Sequence, residues 1–295
     1  MKVGSILALL TFSGANAFAH TGEPIGQHDL WKAWSVEPGI VIPLVLMAAL
    51  FAIGSRQPRA ASPMQKACFW GGWTVLTLAL ISPLHSLGEV LFSAHMAQHE
   101  FLILVAAPLL VLGRPLAPLL KGIPMPWRKK LGYWSGRPRV RLVWLALTAP
   151  SVAWSIHAVA LWLWHAPGLF EATLSSDWIH SAQHASFLGS ALLFWWSLLH
   201  GHGRPNYGAG VLYIFTTAVH TSILGALLTF ARDVWYPAYS GTTRAWGFSP
   251  LEDQQIGGLI MWIPAGLVYL AAGLALVGLW LRESDVVANR RRYAQ

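Results

Sequence analysis

The sequence predicts an all-α membrane protein: a polytopic helix bundle of about seven transmembrane helices, with its N-terminus periplasmic and its C-terminus cytoplasmic. Three observations carry that prediction. Hydrophobic residues fill 55% of the 295 positions and charged residues only 11%, where a soluble domain carries about 25% charge. Too few polar groups exist to face water, so lipid must solvate the excess. The apolar residues gather in seven runs, and a run that crosses lipid must close its backbone hydrogen bonds within itself, as a helix. Lys and Arg lie almost wholly on one set of connecting segments, which marks the cytoplasmic side.

Residues 1–19 read as a signal peptide. Lys2 is a minimal basic region, Val3 to Phe12 a short apolar core, and Ala17-Phe18-Ala19 an A-x-A cleavage site. That core is shorter than the roughly 20 residues a span needs, and an uncleaved anchor is the alternative. Cleavage would leave His20 at the head of a polar periplasmic segment, residues 20–37. The membrane domain, 38–281, contains the seven runs at about 38–54, 67–82, 91–113, 141–164, 178–199, 208–231 and 255–281. Pro43, Pro108, Pro150 and Pro264 fall inside runs, where each removes a backbone hydrogen bond and bends the helix. A basic cytoplasmic tail, 282–295, ends the sequence.

Orientation follows from charge. Arg56, Arg59 and Lys66, the stretch from Arg114 to Arg141, Arg204, and the tail from Arg282 to Arg292 supply 16 cations to one side. Only Lys32, Arg232 and Arg244 fall on the other. Seven crossings from an exported N-terminus end inside, where the tail places its Arg290-Arg291-Arg292. The net charge of +8 therefore reports topology and not a nucleic-acid partner. The single cysteine, Cys68, excludes an intrachain disulfide and a CxxC site. No GxSxG, Walker loop or HExxH appears, and no enzymatic activity is expected.

Most of the twelve histidines map to the periplasmic side. His20, His28 and His85 lie in outer segments; His95, His99, His165, His180 and His184 lie at the outer ends of spans three to five. His157 is about 12 Å deeper than His165 at about 1.5 Å per residue, and His220 and Glu100 also lie deep. His95/His99 and His180/His184 are both i, i+4 pairs, so each presents two imidazoles on one helix face. Neutral imidazole suits copper, zinc, iron and nickel, and Met96 adds a thioether beside the first pair. Such pairs also serve as interhelical hydrogen-bond contacts, but ionisable groups within spans usually face a bundle interior. Asp253 opens the last span, where a carboxylate suits a helix N-terminus.

One set of motifs resembles a known family. His95-Met-Ala-Gln-His99 followed by Ala106-Ala-Pro-Leu-Leu-Val-Leu-Gly-Arg-Pro115, then Leu161-Trp-Leu-Trp-His-Ala-Pro167, His180, His184, Phe194-Trp-Trp196, and Asp253-Gln-Gln-Ile-Gly-Gly-Leu-Ile-Met-Trp262 are similar to the CtaG family of cytochrome c oxidase assembly factors associated with caa-type oxidases. The resemblance implies a non-enzymatic protein of the bacterial inner membrane that helps build a haem–copper oxidase. Its partners would be oxidase subunits or other oxidase assembly factors, besides the lipid bilayer. Copper is the implied metal, to be held by His95, His99, His180 and His184, with His165 and Met96 as further ligands. A haem-binding membrane redox enzyme and a metal or proton transporter remain the alternatives.

Overall fold

The computed structural model describes residues 26–201 and 206–292, with side chains through Ser284. The expected signal peptide and His20 lie outside the described residues, as do His202 and Arg204. The described chain is all helical. In order it forms α1 (Pro38–Gly54), α2 (Pro63–Ile81), α3 (Pro83–Gly88), α4 (Phe92–Glu100), a π-helical segment (Phe101–Ala106), α5 (Ala107–Leu112), α6 (Leu116–Gly122) and α7 (Met125–Ser135). Then follow α8 (Pro138–Leu147), α9 (Pro150–Trp164), α10 (Pro167–Ser175), α11 (Asp177–His200), α12 (Tyr207–Thr229) and α13 (Pro250–Arg292).

Each of the seven apolar runs coincides with one of these helices or a consecutive set of them. Among the described residues, three helices are long and apolar enough to cross a membrane alone: Phe92–Leu112, Tyr207–Thr229 and the Pro250–Ser284 part of α13. The pair α8–α9 makes a fourth if its 63° bend lies within one span. α1 is apolar but has only 17 residues. α11 has the length, yet Asp177, His180, Gln183 and His184 dilute its first half.

The bend between α8 and α9 follows from Pro150, the first residue of α9. Ala149 before it is extended, with ψ 134°, because the proline ring disfavours helix at the preceding position. Pro43 and Pro264, by contrast, stay inside continuous helices. Pro108 sits at the start of α5, directly after the π-helical segment, where the widened turn already releases backbone bonds.

Exposed apolar and core-facing surfaces are distinct on α12 and α13. Leu212, Phe215, Val219, Ile223 and Leu227 form an exposed stripe along α12, and Ile263, Leu267, Leu270 and Leu274 another along α13. Such contiguous apolar surface is stable only against lipid or a partner. The central core packs Ile103, Phe187, Phe194, Trp195 and Tyr269 between the π-helical segment, α11 and α13. α12 and α13 pair along much of their length. A Cβ on Gly258 would stand 2.6 Å from the Thr229 backbone nitrogen, so glycine there is what allows the two backbones to approach. Exposed tryptophans mark both ends, with Trp31, Trp34 and Trp178 at one and Trp127, Trp134 and Trp280 at the other, as interfacial belts do.

Candidate metal centre

Six histidines from four elements converge at one end of the bundle. α3 brings His85, α4 brings His95 and His99, the residue capping α9 is His165, and α11 brings His180 and His184. The i, i+4 spacing does what helix geometry requires: ring centroids are 4.4 Å apart for His95 and His99 and 4.3 Å for His180 and His184. The pairs face each other, with His95–His180 at 5.1 Å and His99–His184 at 5.3 Å. His85 stacks on His180 at 5.3 Å, and His165 stands 6.1 Å from His99. All six are buried. Two sets of three, His85/His180/His184 and His95/His99/His184, hold their nearest nitrogens within 4.8 Å of one another.

The surroundings leave several of these rings with a nitrogen that could ligate a metal. His165 Nδ1 donates to the Leu161 carbonyl at 2.6 Å. That bond fixes the proton on Nδ1 and leaves a lone pair on Nε2, which has no hydrogen-bond partner. His95 Nδ1 faces the Gly88 carbonyl at 3.3 Å and the Tyr239 hydroxyl oxygen at 3.2 Å, while the Tyr239 hydroxyl proton goes to Gly88 at 2.9 Å. Nε2 faces the Gln183 amide oxygen, also an acceptor, at 3.2 Å, so its lone pair becomes open to a ligand only when that carboxamide turns away. A ring N–H held by a carbonyl, with the second nitrogen free, is the usual arrangement of a metal-ligating histidine. Both nitrogens of His99 and the Nε2 of His184 are buried without a hydrogen-bond partner. Buried polar atoms of this kind call for an absent partner, and borderline d-block cations fit a donor set made of imidazoles.

A family model described as cytochrome c oxidase caa3 assembly factor matches residues 45–283, a span that includes every one of these histidines. The chain belongs to the caa3 assembly-factor family. Among relatives, an uncharacterised protein of Mycobacterium bovis is 27% identical over 267 residues, covering 85% of this chain and 39% of that protein. An uncharacterised protein of Mycobacterium leprae is 25% identical over 275 residues, covering 88% of this chain and 41% of that one. The chain thus spans about two fifths of the length of the curated relatives it matches. No solved structure matches it significantly.

In this caa3 assembly-factor chain the Asp253-Gln254-Gln255 stretch is a clasp. Asp253 lies in the first turn of α13, as its sequence position predicted, and its side chain reaches further. Its carboxylate accepts from the backbone N–H groups of Phe92 and Ser93 and from the Ser93 hydroxyl, so α13 caps the N-terminus of α4, the helix that bears His95 and His99. A carboxylate there also meets the positive end of the α4 dipole. Gln254 bonds Trp235 N and Asp233 O, and Gln255 donates to Ala231 O, which pins the α12–α13 connection. That connection delivers Tyr239 to His95, and Tyr236 donates to the His165 carbonyl at 2.8 Å.

Of the residues that sequence reading nominated, His95, His99, His165, His180 and His184 come together. Met96 points elsewhere: it packs with Phe92, Leu224, Leu228 and Met261, and a Cβ on Gly257 would lie 3.2 Å from its Cγ. Sequence reading left His85 as an isolated outer residue, and Gln98, Gln183 and Tyr239 without any role. His85 carries no paired spacing, so no local signal could have placed it. The deep groups stay apart from the cluster. His157 Nδ1 meets Ser190 Oγ at 3.0 Å, and His220 lies edge-on to Trp154. Cys68 sits half-buried on α2.

Proposed function

We propose that the protein is a seven-span factor of the bacterial inner membrane that assists assembly of a haem–copper cytochrome c oxidase by handling copper at a periplasmic histidine site. The observation that carries this reading is the convergence of His95, His99, His180 and His184 around shared space, with His165 and His85 adjoining. Membership of the caa3 assembly-factor family points to the oxidase as the recipient. The 16-to-3 distribution of Lys and Arg supports a periplasmic position for the cluster. Copper here is cargo, and the imidazoles are its carriers. The rings stand centroid to centroid at 4.3–6.2 Å, a spacing at which several imidazoles can share one ion.

The test is metal analysis of the purified full-length protein beside its His95→Ala/His99→Ala/His180→Ala/His184→Ala variant, with the copper content of the oxidase measured in the same cells. The wild-type protein should carry copper and the quadruple variant none, with a copper-deficient oxidase and normal abundance of the variant. Normal oxidase copper with the variant stably inserted would leave only a scaffold role. A Soret band in the purified protein would instead establish haem. Reporter fusions after Arg59, Lys130 and Arg292 should report cytoplasm and those after Ser86, Asp177 and Thr242 periplasm; a periplasmic signal at Lys130 would overturn the topology.

A further inference from the structure

The rim of the cluster has a chemistry of its own. A small pocket opens at this end of the bundle, lined by Glu37, Glu89 and Asp177 together with His85, His180 and His184. Glu37 and Asp177 are exposed and Glu89 half-buried, while the three histidines beneath are buried. Carboxylates thus meet solvent first and imidazoles lie behind them. His184 is only 6% exposed, lines this pocket, and presents an Nε2 with no hydrogen-bond partner. It is also the one residue common to both three-histidine sets.

The two sets are not equivalent. In the inner set, both nitrogens of His99 are without a hydrogen-bond partner, and His95 Nε2 meets only the Gln183 amide oxygen at 3.2 Å, a carboxamide that can turn aside because its own nitrogen has no partner to lose. In the outer set, His85 Nδ1 accepts from Gln98 Nε2 at 3.1 Å, and the same amide nitrogen donates to the Ala79 carbonyl at 2.7 Å. The proton of neutral His85 then sits on Nε2, 3.9 Å from Glu89 Oε1. Ligation by His85 must displace that proton or break the Gln98 contact. The outer set therefore holds an ion more weakly than the inner one.

We propose that the two sets are successive stations for a single d-block cation. The Glu37/Glu89/Asp177 rim collects the ion from the aqueous side, His85, His180 and His184 receive it, and His184 hands it inward to His95 and His99. One shared imidazole lone pair serves one ion at a time, so the path carries one equivalent. This relay rests on the copper-site reading above.

The test uses the full-length protein in detergent with Cu(I) alone as probe, followed by rapid mixing and by competition with a chelator. The wild-type protein should take up one equivalent. His95→Ala/His99→Ala should still capture it on mixing but release it to the chelator about ten-fold faster. His85→Ala/His180→Ala should retain it but load about ten-fold more slowly. Glu37→Gln/Glu89→Gln/Asp177→Asn should slow loading by a similar factor at low salt, and the difference from wild type should shrink at high salt, since surface carboxylates act by screened attraction. His184→Ala should impair both capture and retention. Loading of His85→Ala/His180→Ala at the wild-type rate, or two equivalents bound at once by the wild-type protein, would overturn the relay while leaving the copper site intact. A wild-type protein that binds no copper would overturn the copper reading and the relay with it.

Discussion

At the histidine end of the bundle, polar side chains are buried and bonded to backbone far away in sequence; at the opposite end, α7 and α8 bury no residue at all. Asp253 reaches Phe92 and Ser93 on α4, Tyr239 reaches Gly88, Tyr236 reaches His165, and Thr242 donates to Val90. The basic end instead displays Arg128, Lys129, Lys130, Arg137 and Arg139 on helices whose surroundings hardly constrain them. Its long-range contacts are few, such as Arg114 Nε donating to His200 at 2.8 Å and Gln57 to Lys121 O at 2.9 Å. The difference teaches what each end must hold fixed. The proposed metal site needs rings placed to within an ångström, which takes buried hydrogen bonds to the groups around them. The proposed orientation needs only the sign of charge near the span ends, and exposed side chains supply that.

This contrast can be broken most forcefully at Asp253. Replacing it with Ala leaves the Phe92 and Ser93 N–H groups and the Ser93 hydroxyl without their acceptor. At about 1–3 kcal/mol for each stranded buried group, the loss should be about 3 kcal/mol or more and should lower the thermal midpoint of the solubilised protein by roughly 10 °C. Asp253→Asn retains one acceptor oxygen and should fall between. A wild-type melt for the Ala variant would show that the clasp does not hold this end.

Gly258→Ala comes next. Its new Cβ would meet the Thr229 nitrogen at 2.6 Å, and overpacking of this kind costs about 2 kcal/mol. The expected signature is a lower melting midpoint with copper stoichiometry unchanged, because the strain falls between α12 and α13 and not on the rings.

Tyr239→Phe tests the fine positioning of His95. Losing one hydroxyl should cost only about 1 kcal/mol of stability, yet weaken copper affinity by about ten-fold, as outer partners of ligating histidines do. Competition titration with a copper chelator measures the second effect and a thermal melt the first. Equal losses in both would reduce Tyr239 to a structural contact.

The smallest effects are expected at the basic end. Arg128→Gln/Lys129→Gln/Lys130→Gln and His200→Ala should each shift stability by no more than about 0.5 kcal/mol and leave copper affinity unchanged. The triple variant should instead raise the fraction of chains reporting the wrong side in a fusion after position 130. A large loss of copper binding in either variant would erase the division of labour between the two ends.

Composition and charge alone determined the solvent, the seven apolar runs and the sign of each end, because hydropathy and charge are summed over neighbours in sequence. The same local logic paired His95 with His99 and His180 with His184, since 3.6 residues per turn brings positions four apart onto one face. It could not say which way those faces turn. Only the packing of α4 against α11 set the two pairs opposite each other, rotated Met96 into the apolar cluster instead, and brought His85 from α3 onto His180. Asp253 makes the same point: its place at the start of the last helix is legible in the sequence, and its bonds to α4, 160 residues away, are not. Helix rotation and contacts between distant segments are collective outcomes of core packing, such as Phe187 and Phe194 seating α11 in the central core, and no local pattern encodes them.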